Sequence, residues 1–593
     1  MKIVRLHGMM ICSAYFNSAL SVSVFAASVF FFSTEAVAQA QDTGSQGTST
    51  KIASGPIILH GGGYLHPLIV RKFVDAAGGG KAKIVVVTPG AKPSAEAVEL
   101  IRRIKETHKP ISVSTYHAAS VKQSNDLGLI KPVLAATGIW FADARLDDAQ
   151  KYEMKAYLPS RFERALYAAQ QRGAVIGGRG KGAVVLTRVM GQFDGNTVRL
   201  KGGFDALKDC VIVDALLRDN QWERLLYAVR RYPSLLGFGI DTETAMVIHG
   251  DRLVVMGESY VHAARWDRAT KGPAILSLHR RNGVLSLASL RQWRLKKERD
   301  VEALIESGKT RAKRSKVFGD QSDIIKQMDG ESSDSTGATK GAIVIHGGGA
   351  MPKIIWNTFI RLGGSDPDGT KGRLINIPTA NMDLPASTKA VVEAGEGNGF
   401  SKVTTLHTRK QKVADTQAFC EPLGEATALW FGRGRQRLLA DAYRGTRFER
   451  ELMALYDRGC VIGGSAGGAS ALSRVMIIGS HFDNNKIKAR FQEGFDLLPN
   501  AIIDQQFMVR NRWARLLNAV RTHPDLLGVG IDESAAAVYR NGKLAVIGES
   551  YVHAVRWEKG EAYPQILSLR AGSLPVDYKL LLAGKLKRAG RAK

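Results

Sequence analysis

The chain is poor in cysteine, with four in 593 residues. Cys12 falls in a leader-like N-terminus, and Cys210, Cys420 and Cys460 leave an odd number without paired spacing. That argues against a disulfide framework and against a thiolate metal site, so neither a metal nor a cofactor is expected. Cys460 sits in an apolar run and reads as buried filler. Long apolar runs are scarce as well, and outside the N-terminus none approaches a membrane span, so no membrane is expected beyond the leader. Acid is short relative to base: 55 Asp and Glu stand against 83 Lys and Arg, a net charge of +28. Such an excess often means nucleic acid. Here it is spread over both halves, concentrating only in 291–316 and in Lys585, Lys587, Arg588, Arg591 and Lys593, with no zinc-finger spacing or RNA-binding aromatic signature. Nucleic acid is therefore not the expected partner; a solvated basic surface, or attraction to anionic envelope polymers, accounts for the charge.

The remaining composition is that of an ordinary globular protein, 45% apolar and 23% charged. Lys2 and Arg5 precede a mostly apolar segment around Ala19–Phe32, and Ala36-Val37-Ala38 has the small-x-small form of a cleavage site. Residues 1–38 thus read as a secretory leader and 39–54 as a flexible lead-in, placing the mature protein in a periplasm or outside the cell. An uncleaved anchor is the alternative, because the apolar run is long enough though broken by serines.

One domain is written twice. Ile58-Leu59-His60-Gly61-Gly62-Gly63 returns as Val344-Ile345-His346-Gly347-Gly348-Gly349, and Arg161-Phe162-Glu163-Arg164 as Arg447-Phe448-Glu449-Arg450. Trp140-Phe141 returns as Trp430-Phe431, and Gly257-Glu258-Ser259-Tyr260-Val261-His262-Ala263 recurs letter for letter at 548–554. Ordered matches at a near-constant offset mean a tandem duplication. The copies span 55–290 and 341–570. A basic segment and flexible linker, 291–340, separates them, and a basic tail, 571–593, follows. Within each copy, short β-branched runs alternate with helical stretches, which implies two tandem α/β domains with doubly wound, mostly parallel, flavodoxin-like sheets. Ligands in such sheets sit at the carboxyl ends of the strands.

In the second copy, Gly463-Gly464-Ser465-Ala466-Gly467 follows an apolar run and has the form of a nucleophile elbow. Ser465 then stands at a helix N-terminus, with the Ala466 N–H as an oxyanion donor. A Gly-rich loop that binds phosphate, or merely turns, is the bland alternative.

The Gly-triplet, this elbow, Leu497-Leu498-Pro499 leading to Ile503-Asp504-Gln505, the arginines at 510, 512 and 515, and Gly530-Ile531-Asp532-Glu533 together resemble the cyanophycinase family of serine peptidases. The resemblance covers nearly all of the second copy and, more faintly, the first. It implies a class I glutamine-amidotransferase-like fold, a Ser-His-Glu type triad, and exopeptidase action on cyanophycin or related β-aspartyl peptides. By that resemblance Ser465 is the nucleophile, and Ala466 with Gly348 or Gly349 supplies the oxyanion hole. Gln436, Asp504, Gln505, Gln506, Arg510, Arg512 and Arg515 match pocket positions. Guanidinium forks suit an aspartate-rich peptide or polymer.

One departure weighs against catalysis: the family's base is the histidine of an Asp-Gln-His run, and here stands Asp504-Gln505-Gln506. Glutamine cannot accept a proton at neutral pH. His481 is a substitute base and Asp483 the acid matched to it, a surface histidine being the alternative. His346 and His60, beside the Gly-triplets, line the pocket or cap a strand, with capping preferred. His553 and its twin His262 read as structural. The first copy has Arg179 in place of the serine, and Asp214-Ala215-Leu216 in place of the Asp-Gln-His run. It reads as a non-catalytic partner, packing on the second copy as subunits of a dimer do, or holding an anion through Arg179 and Lys181; a homodimer of the whole chain is also open.

Two functions follow from these residues: an exported serine-type peptidase working through Ser465, or a non-catalytic pseudopeptidase that binds acidic peptides or envelope polymers. A nucleotide module on the Gly-triplets is disfavoured, since neither extends to G-x-G-x-x-G.

Overall fold

Each half opens on a strand too apolar for a sheet edge. Ile57–His60 and Ile343–His346 are buried at every position, as a central strand covered on both faces must be. The computed structural model describes residues 54–584 except 91–92, 144–153, 195–196, 281–282, 293–320, 322, 325, 329–340, 365–371, 397–398 and 484–485. In it these two strands lie within two eight-stranded sheets of matching order. In the second half Phe400–Thr405, Gly372–Ile377, Ala428–Phe431, Val461–Ser465 and Ile343–His346 run parallel, in that spatial order. Ala535–Arg540, Lys543–Gly548 and Val576–Asp577 extend the sheet antiparallel. Alternate residues of the central strand serve opposite faces. Ile343 and Ile345 join one apolar layer with Leu429 and Leu452, whereas Val344 joins another with Phe359 and Trp430. Gly463 lets Trp430 lie on the sheet, since a Cβ there would stand 2.4 Å from the indole.

The alternation of strands and helices does not foreshadow a second sheet in each half. In the second half it has six strands, Lys486–Glu493, Ser473–Asp483, Leu498–Gln505, Leu527–Ile531, Tyr551–Arg556 and Gln565–Arg570. The pairings of Leu498–Gln505 with its two neighbours are parallel and the others antiparallel. Leu498–Gln505 and Leu527–Ile531 end beside the elbow and deliver its remaining residues.

Two of the expected boundaries move. The second domain runs past 570, because Val576–Asp577 pairs in the large sheet and Tyr578 and Leu581 are buried in the core. Part of the expected linker also packs, with Ile324 and Met328 buried and Gln321 exchanging two 2.8 Å hydrogen bonds with Gly548. The leader and, save Ser54, the lead-in lie outside the described residues.

Both halves belong to one compact unit, and their small sheets and helices Trp222–Arg231 and Trp513–Thr522 meet about a pseudo-two-fold axis. Trp222 and Trp513 lie in contact, ring centroids 4.8 Å apart. Each indole N–H donates across the seam, Trp222 to Ser568 Oγ and Trp513 to Ser277 Oγ, both at 2.8 Å. Tyr260 donates to Asp532 Oδ2 and Tyr551 to Asp241 Oδ2, again both at 2.8 Å. The twinned His262 and His553 bond Ser277 and Ser568 here, in the structural role expected of them.

Candidate active site

Three loops are tied to the His-Gly-Gly-Gly segment by backbone bonds. In the second half Ala466 N–H donates to the His346 carbonyl (3.0 Å), Gln506 N–H to Gly347 (2.9 Å) and Ser534 N–H to Gly348 (2.9 Å). The elbow, the end of Leu498–Gln505 and the end of Leu527–Ile531 are thereby gathered at one point. The first half repeats the pattern with Gly180 to His60, Ala215 to Gly61 and Glu243 to Gly62. The twinned bonds set the register: Ser465 answers to Arg179, Ala466 to Gly180, Gln506 to Ala215 and Glu533 to Thr242. Val213-Asp214-Ala215, rather than Asp214-Ala215-Leu216, is therefore the counterpart of Asp504-Gln505-Gln506.

In a strand-to-helix elbow the nucleophile is the strained residue at the bend, which lifts its side chain off the sheet. Here Ser465 is the last residue of the strand Val461–Ser465, and the bend falls on Ala466, at φ 50° and ψ −111°, before the helical turn Gly467–Ser470. A non-glycine residue in that region is strained; the first half has Gly180 there, at φ 53°. The expectation that Ser465 occupies the bend is thus corrected by one residue. Ser465 is 9% exposed, and its hydroxyl lies 2.9 Å from His346 Nδ1. The imidazole beside Ser465 is therefore His346 and not His481. Burial lowers the pKa of His346 to about 4, Arg433 pushing the same way and the Ala350 carbonyl opposing. A ring that resists protonation so strongly is a weak general base at neutral pH.

Against the bend stand Gln506 and Glu533. Gln506 Nε2 donates to Glu533 Oε1 at 2.8 Å. A Cβ on Gly348 would touch both the Ala466 methyl and the Gln506 side chain, at 3.2 Å each, which puts the three in one small space. The acid at the centre is Glu533. Asp483 ends the strand Ser473–Asp483, and its side chain lies outside the described residues. His481, on the same strand, is exposed and pairs across the hairpin with Lys488. Glu533 carried a sequence signal, the acid following Gly-Ile-Asp at a strand end.

The oxyanion donors also shift. Ala466 N–H is spent on the His346 carbonyl, so it is not the donor expected of it. The N–H groups of Gly348, Gly349 and Gly467 have no hydrogen-bond partner among the described residues.

The expected arginine-lined pocket is largely an internal ion cluster. Asp504 is fully buried and takes Arg515 Nε at 2.7 Å and Arg512 Nη1 at 3.4 Å. Arg512 also donates to the Gln505 carbonyl at 2.6 Å and to its side-chain oxygen. A buried carboxylate needs such partners, and these two arginines answer it rather than a ligand. Arg510 is exposed. Gln436, half-buried, donates to the Ile477 carbonyl at 2.6 Å.

Comparison with known proteins identifies the family. The family model described as peptidase family S51 matches residues 367–547. A cyanophycinase from Trichormus variabilis is 30% identical over 223 residues, covering 37% of this chain and 74% of that protein. The chain belongs to the cyanophycinase family. A cyanophycinase from Geminocystis herdmanii is 28% identical over 212 residues, covering 35% of this chain and 78% of its own. Among solved structures, a peptidase from an acI-B1 Actinobacterium is similar over 41% of this chain and 98% of its own, at 22% identity and a TM-score of 0.32.

The first half keeps the backbone of the second and fills its site with its own side chains. Lys181 N–H, the counterpart of Gly467 N–H, donates to Asp143 Oδ1 at 2.9 Å. Gly62 N–H, the counterpart of Gly348 N–H, donates to His60 Nδ1 at 3.1 Å. Lys181 Nζ pairs with Asp214 at 2.7 Å, and Arg179 donates to the Gly63 carbonyl. Burial raises the Asp143 pKa to about 6, with Lys181 N–H opposing. Burial lowers that of His60 to about 3, helped by Arg179. The anion expected near Arg179 and Lys181 is already present as the chain's own carboxylates.

Proposed function

We propose that this member of a peptidase family is an exported pseudopeptidase: its second half binds an acidic or β-aspartyl peptide at the elbow without cleaving it, and its first half is a scaffold. One observation carries the reading. The strained bend belongs to Ala466 and the residue bonded to Glu533 is Gln506, so the positions that need a nucleophile and a base hold a methyl group and an amide. What remains is a set of unspent N–H groups at Gly348, Gly349 and Gly467, suited to a carbonyl or carboxylate oxygen. Export rests on the leader-like N-terminus.

The test is turnover of β-Asp-Arg polymer by the mature protein and by Ala466→Ser/Gln506→His. The expected result is no turnover by the native chain and clear turnover by the double variant. A second reading keeps the chain an active hydrolase, through Ser465 activated by His346 at 2.9 Å. Native turnover that Ser465→Ala abolishes, with a serine-directed reagent attached at Ser465, would establish that reading instead.

A further inference from the structure

A cleft of about 890 Å³ lies where the two halves meet, away from both elbows. Its size is that of a ligand site. The duplication furnishes it with matched residues: Arg230 and Arg521 from the last turns of the two seam helices, and Trp266 and Trp557 from the equivalent strands. Each arginine is held by both halves. Arg230 lies over Trp266 of its own half and against Tyr563 of the other, 5.9 Å from each ring centre. Arg521 lies over Trp557 at 4.7 Å and donates to the Thr270 carbonyl across the seam at 2.9 Å. Lys271 and Lys559 stand on the rim, so four cations face two carboxylates, Glu558 and Glu561. None of the four cations forms an ion pair among the described residues.

A guanidinium laid on an indole is fixed in orientation while its N–H edge stays open for a bidentate oxyanion. Two such groups related by a pseudo-two-fold axis suit a ligand with several anionic groups along its length, and the surplus of cations draws one in. We propose that this seam cleft binds an acidic peptide, with separate carboxylates on Arg230 and Arg521. The site is made by the fusion of the two copies, since neither half encloses it alone, and it is independent of the chemistry at Ala466.

The experiment is calorimetric titration of the intact mature chain with hexa-aspartate, in parallel with inorganic tripolyphosphate. It is repeated with Arg230→Gln/Arg521→Gln and with Arg71→Gln/Arg102→Gln, which removes the same charge from exposed positions outside the cleft. The expected result is hexa-aspartate binding that weakens by at least about tenfold in Arg230→Gln/Arg521→Gln and is unchanged in Arg71→Gln/Arg102→Gln. Arg230 and Arg521 are exposed, and an unchanged melting temperature verifies that the variant folds. Absence of hexa-aspartate binding overturns the proposal. So does binding of tripolyphosphate alone, hexa-aspartate binding kept without Arg230 and Arg521, or an equal loss from both pairs of substitutions.

Discussion

The two halves share their backbone and differ in what they hang on it. Both tie elbow and strand ends to the His-Gly-Gly-Gly segment with the same three bonds, yet no catalytic position of the first half holds a group that could act in acyl transfer. Arg179, Gly180, Ala215 and Thr242 stand where the second half has Ser465, Ala466, Gln506 and Glu533. The second half has lost less, since it keeps the acid and leaves its N–H groups open, whereas the first has closed its own with Asp143 and His60. The scaffold is held by backbone bonds and the seam, neither of which depends on the catalytic side chains, so those side chains are free to change.

The largest effect that can sharpen this contrast is a gain. Ala466→Ser/Gln506→His restores hydroxyl, imidazole and Glu533 in one line, and hydrolysis of β-Asp-Arg polymer is expected to rise at least about 10³-fold over the native chain, read by released product. The matching change in the first half, Gly180→Ser/Ala215→His/Thr242→Glu, is expected to give none, because Arg179 and the Lys181–Asp214 pair fill the space. Equal gains in both halves would remove the distinction between an open and a closed site.

Next comes the seam. Trp513→Ala removes a fully buried indole that packs on Trp222 and Phe507, and a loss of about 3–5 kcal/mol in chemical denaturation is expected. Tyr260→Phe is milder. It takes one donor from the buried carboxylate of Asp532, beside Glu533, at an expected cost of about 1–3 kcal/mol. Tyr551→Phe does the same to Asp241. If the pseudo-two-fold axis describes the energetics as well as the shape, the two losses match; a large inequality would mean that one half depends on the seam more than the other.

Much of this was legible in the sequence, and its limits have physical causes. The duplication is plain because the Tyr-Val-His-Ala of the repeat Gly-Glu-Ser-Tyr-Val-His-Ala is buried in both copies, its tyrosine and histidine bonded at the seam, where packing leaves little freedom to drift. Which residue of Gly463-Gly464-Ser465-Ala466-Gly467-Gly468 makes the bend is not legible, since glycines on both sides admit two registers and only φ and ψ distinguish them. The motif looks intact with the serine one place early. Arg512 and Arg515 look like a ligand pocket because sequence does not show that Asp504, eight and eleven positions earlier, turns back to meet them. Glu533 was visible as the acid after Gly-Ile-Asp, but its role appears only when Leu498–Gln505 and Leu527–Ile531 lie side by side and carry Gln506 to it.

The smallest effect concerns the closed site itself. Asp143 is half-buried against Lys181 N–H, and its desolvation together with nearby Asp214 raises its carboxyl from 3.8 to about 6, with the Lys181 N–H and the charges of Arg179 and Lys181 opposing. A carboxyl whose pKa is higher in the folded chain than in the unfolded one favours folding while it is protonated. That contribution is complete below about pH 4 and is lost as the pH rises through about 6. Asp143→Asn keeps an oxygen for the Lys181 N–H but cannot ionise. It is expected to match the native chain near pH 4 and to exceed it in stability above pH 6, measured by denaturant unfolding at fixed pH steps. The corresponding residue of the second half is Arg433, exposed to solvent, so that half has no carboxyl to titrate at this position. Parallel profiles for native protein and Asp143→Asn would mean that the carboxylate is fully compensated by Arg179 and Lys181, and the first half would then be closed by a salt-bridged anion instead of a protonated one.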